Sequence, residues 1–109
     1  MPEFKVIILP LAEKDITSNT DYIFYEKESP EVAIKLLAGF KNTIADLSFM
    51  PEKHELDEDE ELVALKIRKS YYKNYKVFFY VDNEHRKVFV LRVLHMLVDA
   101  KSLLLNMNF

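Results

Sequence analysis

Along the chain, stretches of helical and strand periodicity alternate, and their order predicts the elements. Residues 4–9, FKVIIL, are a short apolar and β-branched run stopped by Pro10, which predicts a first strand. From Leu11 to Lys27, Ala12, Ile16, Thr20, Ile23 and Phe24 recur three and four apart, with Glu13, Lys14, Asp21 and Glu26 elsewhere on the wheel; that spacing predicts an amphipathic helix. Ser29 ahead of Pro30 and Glu31 predicts a second helix start, because a hydroxyl caps free amides, proline suits the first turn and a carboxylate suits the positive dipole end. The stripe Ala33, Leu36, Leu37, Phe40, Ile44 and Leu47 carries that helix to Phe49, where Met50-Pro51 stops it. Two helices joined by so short a turn form an antiparallel hairpin.

Residues 52–61, EKHELDEDEE, have no apolar period and read as an exposed acidic loop. Beyond it, Val63, Leu65 and Ile67 alternate with Ala64, Lys66 and Arg68, which predicts a strand with Lys66 and Arg68 on one face. Tyr75 to Val81 is almost wholly apolar, as a central strand is, and DNEHR (82–86) separates it from KVFVLRVLH, predicting a hairpin in which Asn83 takes the left-handed position. Residues 100–109 read as a short helical turn or an apolar tail. The order strand, helix, helix and three strands predicts one α+β domain over 1–109, with the helix hairpin on one face of a mainly antiparallel sheet and the other face left for a partner.

Composition narrows this. With 109 residues, eight Phe, six Tyr and no cysteine, the chain is long enough for one unaided core and excludes disulfides and thiolate metal sites. The absence of cysteine suits a reducing, cytoplasmic setting, Glu3 in place of a basic leader argues against a signal peptide, and no apolar stretch approaches the ~20 residues a membrane span needs. Residues 1–65 carry 6 basic and 15 acidic side chains and residues 66–109 carry 9 and 3, net −9 and +6, so the C-terminal half is the one suited to a polyanion. His54, His85 and His95 are scattered, which predicts neither a metal site nor a cofactor.

The stretch NYKVFFYVDNEHRKVFVLRVLH followed by Asp99, with the Ser-Pro helix start, resembles the RelE/ParE superfamily of bacterial toxins, whose members read NYxIFYxVD…VxIxRVLHxxRD there. The resemblance runs from Phe4 to about Leu104 and includes KVIILPLAEKDI, similar to the family's opening strand and its A-x-x-D helix entry at Ala12 and Asp15. It implies the toxin half of a type II, plasmid-stabilisation-like toxin–antitoxin module that inhibits growth and is neutralised by a cognate antitoxin, as a homodimer or a toxin–antitoxin hetero-oligomer. Two targets follow. A ParE-like toxin binds and poisons DNA gyrase; a RelE-like toxin cleaves mRNA in the ribosomal A site; a degenerate member would bind antitoxin and do little else.

For RNA cleavage the candidates are Lys66, Arg68 and His95, with Tyr75 and Arg92 beside them: cations to hold phosphate and an imidazole to move a proton. Arg92 and His95 are three apart, so a regular strand puts them on opposite faces unless a bulge intervenes, and Met96, Leu97 and Val98 stand where the resemblance implies basic residues. For partner binding the candidates are Tyr75, Arg92, Leu103, Leu104 and Phe109, the ParE-like reading assigning gyrase poisoning to the C-terminal region. Bland readings stand beside these. Arg92 can pair with a helix or antitoxin carboxylate, His95 can be a satisfied sheet-end histidine, and Tyr75 an ordinary core or rim aromatic.

Overall fold

The computed structural model describes residues 3–107. Lys5–Ile8 form β1, and Pro10, expected as a strand stop, is also the first residue of α1, Pro10–Asp21, where its missing N–H costs nothing. A widened π-helical turn, Tyr22–Glu26, ends that helix and takes Phe24 and Tyr25 off the buried stripe. α2 spans Pro30–Ala45; its start is as expected, but the Ser29 hydroxyl makes no capping bond. Ala33, Leu36, Phe40 and Ile44 of its stripe are buried.

β2 (Arg68–Tyr72), β3 (Tyr75–Asp82) and β4 (Lys87–His95) follow, and the sheet order is β1-β4-β3-β2. The β1–β4 pair is parallel and the other two are antiparallel, so β3 is central and β1 is an edge. The helix hairpin packs on one face against Val77, Phe79, Val88, Val90 and Val93.

The strand expected over 63–68 is not there. Glu60–Ala64 form a short helix, α3, because Asp59 caps it by accepting the Glu61 and Leu62 amides and because Leu62 is buried. Lys66, with φ 59°, closes it: its N–H donates to the Val63 carbonyl and the Ile67 N–H to the Leu62 carbonyl, while Leu62 and Ile67 enter one apolar cluster. The alternation of Val63, Leu65 and Ile67 had the strand period by coincidence; the cap and the closing turn override it.

The second face of the sheet is covered in part, rather than left open. α3 and α4 (Ala100–Leu105) lie over it, Leu62, Ile67, Phe78, Leu91, Leu94 and Leu104 forming a second core. Lys101 ties the two helices together, 2.9 Å from Asp59 and 3.2 Å from Glu61. The acidic segment is also less free than expected: Leu56 bridges Arg68, and the Asp57 and Lys69 amides bond the Ile67 and Glu55 carbonyls, so it lies along the β2 edge. Among the described residues no helix is long and apolar enough to cross a membrane.

Candidate functional site

The candidate residues are distributed over two ends of the sheet. At one end, the closing turn that puts Lys66 in left-handed backbone takes it out of the strand, so it does not stand beside Arg68 on a pleated face. Both still line one cleft of about 460 Å³, but Glu52, Asp82 and Glu84 line it too. His85 donates to the Asp82 carboxylate and holds its pKa below the usual value, which keeps it charged and hostile to phosphate. Arg68 is committed to its own loop: its guanidinium donates to the His54 carbonyl at 2.7 Å and reaches Glu52 at 3.5 Å.

At the other end, β4 carries a bulge. Phe78 pairs with Arg92 and Phe79 with Val90, so Leu91 is the extra residue. The bulge lies before both Arg92 and His95 and leaves them on opposite faces: Arg92 stands across from Phe78 of the outer core, His95 across from Tyr75 of the helix-side core. Arg92 is not a free cation. Its Nε and Nη2 donate to the two carboxylate oxygens of Asp15 at 2.7 and 2.8 Å, both side chains are nearly buried, and the pair holds the arginine's pKa up. Asp15 also accepts the Val93 N–H, and Asn19 one turn on donates to the Val93 carbonyl, so α1 satisfies the edge of β4 where β1 has ended.

His95 meets Tyr75 edge to face at 5.3 Å, and Tyr75 meets Phe40 in the same way at 5.0 Å. Burial raises the Tyr75 phenol's pKa, as suits a core aromatic. The Nδ1 of His95 accepts the Leu97 N–H at 3.2 Å, so in the neutral ring the proton sits on Nε2.

These ends are far apart. Arg68 lies opposite Phe79 and through it Val90, whereas Tyr72 lies opposite Tyr75 and through it His95, so the two ends are separated by four residues of β2, roughly 13 Å. The three ribonuclease candidates Lys66, Arg68 and His95 are therefore not assembled around one phosphate. Of the tail residues, Leu104 is fully buried and Leu103 packs beside it in the outer core, while Phe109 lies outside the described residues. Among the described residues no cluster of three or more His, Asp or Glu side chains is arranged to hold a metal.

Two surface features stand apart from these candidate residues. An apolar groove of about 560 Å³ runs beside the edge strand β1, lined by Val6, Ile8, Ile16, Leu37 and Ile44 with Glu13 and Lys41 at its rim. The alternation of Val6 and Ile8 is the only sequence signal for it, and its meaning depends on β1 being an edge. The second is the turn after His95, where Met96, Leu97 and Val98 are all exposed.

The family model of the ParE toxin of type II toxin–antitoxin systems, parDE, matches residues 6–99. Two solved structures share the fold. The toxin–antitoxin complex RelBE2 from Mycobacterium tuberculosis is 21% identical with a TM-score of 0.63, over 85% of this chain and 98% of that one. The chromosomal ParDE toxin–antitoxin system from P. aeruginosa is 16% identical with a TM-score of 0.67, over 84% of this chain and 95% of that one. No curated protein matches the chain.

Proposed function

Because the chain belongs to the ParE toxin family of type II toxin–antitoxin systems, we propose that it arrests growth by binding and poisoning DNA gyrase and that a cognate antitoxin neutralises it. The observation that carries this reading is the separation of the candidate catalytic groups. A nuclease must bring a phosphate-binding cation and a proton-transfer group within hydrogen-bond reach of one scissile bond. Here Arg68 is bound to the His54 carbonyl, Arg92 to Asp15, and His95 stands at the far end of the sheet from Lys66. A toxin that acts by binding needs none of them as a catalyst.

The antitoxin fits the groove beside β1. An edge strand offers alternate amides and carbonyls to an added strand, and Val6, Ile8, Ile16, Leu37 and Ile44 supply an apolar floor for its side chains. Leu37→Glu buries a charge under such a segment; the expected result is a toxin that still arrests growth but escapes co-expressed antitoxin.

The test of the target is pulse-induced expression with thymidine and methionine incorporation followed over the first minutes, paired with supercoiling by purified gyrase. DNA synthesis stopping first, with gyrase inhibited in vitro, is the expected outcome. Protein synthesis stopping first, with cut messages that disappear in the His95→Ala, Arg68→Ala double variant, would establish the RelE-like ribonuclease on the ribosome instead.

A further inference from the structure

We propose that the turn Met96–Val98 is the toxin's docking tip, an apolar knob that His95 holds outward for insertion into an apolar, acid-rimmed pocket of the protein target. The inference rests on the reading of the chain as a toxin that acts by binding a protein, and it locates the surface that does so.

Leu97 is 87% exposed, and Met96 and Val98 are about half exposed. Turns are ordinarily built of glycine, proline and small polar residues, so three successive large apolar side chains in water call for a covering partner. The turn is also fixed. The Met96 N–H donates to the Asn74 carbonyl at 2.8 Å, the Leu97 N–H to Nδ1 of His95 at 3.2 Å, and the Val98 N–H to the His95 carbonyl at 3.0 Å. Every amide of the turn thus has an acceptor on the sheet end, and the His95 ring is itself held edge-on by Tyr75. A tip ordered before binding loses little conformational entropy on docking. His95 is in this view a positioning residue.

The flank of the tip describes its partner. Tyr71, Lys76 and Leu94 lie side by side across β2, β3 and β4, and Lys73 sits in the β2–β3 turn next to Asn74. Asp99, which accepts the Ser102 amide as the cap of α4, is an exposed carboxylate beside the tip, so the two lysines leave this flank net positive by one charge. An apolar knob with lysines beside it complements an apolar pocket rimmed by carboxylates. Nucleic acid fits poorly, since Met96, Leu97 and Val98 offer phosphate no side-chain donor. A second copy docked tip to tip would set lysines against lysines.

Three variants test the proposal. Leu97→Glu places a carboxylate against the acidic rim; growth arrest should be lost, and at least tenfold more protein should be needed to inhibit purified gyrase, with the thermal midpoint unchanged. His95→Asn keeps an acceptor for the Leu97 amide and should retain toxicity, whereas His95→Phe keeps the ring, loses the acceptor and should weaken toxicity about tenfold. Wild-type potency in Leu97→Glu would overturn the proposal, as would loss of arrest accompanied by a collapsed thermal midpoint. Growth arrest reads the tip whatever the target is. Arrest by the wild type without inhibition of gyrase would therefore sink the gyrase reading alone, while a wild type that arrests nothing would overturn both.

Discussion

At the scale of single residues, the positions most suggestive of catalysis are the ones the fold has already engaged. Asp15 is the hub of the Arg92 contact: it accepts two guanidinium bonds and the Val93 amide. Asp15→Ala should lower stability by about 3 kcal/mol, since it leaves a nearly buried arginine and a strand amide without partners. Arg92→Ala is likewise not a surface change, and a loss of toxicity in it counts only beside a stability measurement. Gly39 is set by close approach: a Cβ there would fall within the Tyr72 ring, which packs on Phe40. Gly39→Ala should cost about 1–3 kcal/mol in chemical denaturation, a penalty that Tyr72→Ala should largely remove.

At the scale of elements, α4 belongs to the fold rather than to a detachable tail. Leu104 is fully buried with Leu62, Ile67 and Phe78, and Lys101 joins α4 to the cap of α3. Leu104→Ala should therefore cost about 2–5 kcal/mol, and deletion of 103–109 should expose the outer core, so a truncation cannot separate a loss of toxicity from a loss of folding. The acidic segment likewise acts as an element. His54 within it packs edge-on against Phe79, with its Nε2 buried, without a hydrogen-bond partner and 3.8 Å from the Asp46 carboxylate. Burial, with Lys53 nearby, lowers its pKa below the ordinary 6.5. The unfolded chain then binds more protons than the folded one as the pH drops below about 6.5, so the stabilisation is full above that value and lost as the pH falls. His54→Phe should flatten the slope of stability between pH 7 and pH 5, read by thermal melts; an unchanged slope would show that another group titrates there.

At the scale of the whole molecule, the charge split between the halves becomes a set of local pairings. The acidic segment meets the basic half directly: Glu52 with Arg68, Asp57 and Glu58 with Lys69, Asp59 and Glu61 with Lys101. With Arg92 held by Asp15 as well, four of the cations in a half that looks suited to a polyanion are occupied from within the chain, which lessens that fit. The groove and the tip are surfaces of different kinds. The groove along β1 offers an edge strand over an apolar floor, and the tip at Met96–Val98 offers a preformed knob.

The sequence by itself determined the helix hairpin, the central strand, the β3–β4 hairpin and the family, because periods of 3.6 and two and the signature ending in LRVLH are local properties of consecutive residues, although the left-handed residue of the β3–β4 turn is Arg86 rather than the expected Asn83. Only the tertiary structure decided α3, the bulge at Leu91 and the partners of the candidate residues. Asp59 as a cap and Lys66 as a left-handed turn outweigh the strand period of 63–67, and a bulge of one residue reassigns the face of everything after it. Arg92 and Asp15 are 77 residues apart, and no spacing rule joins a cation to one carboxylate among eighteen. That choice is made by where α1 crosses the end of β1, a matter of packing in three dimensions.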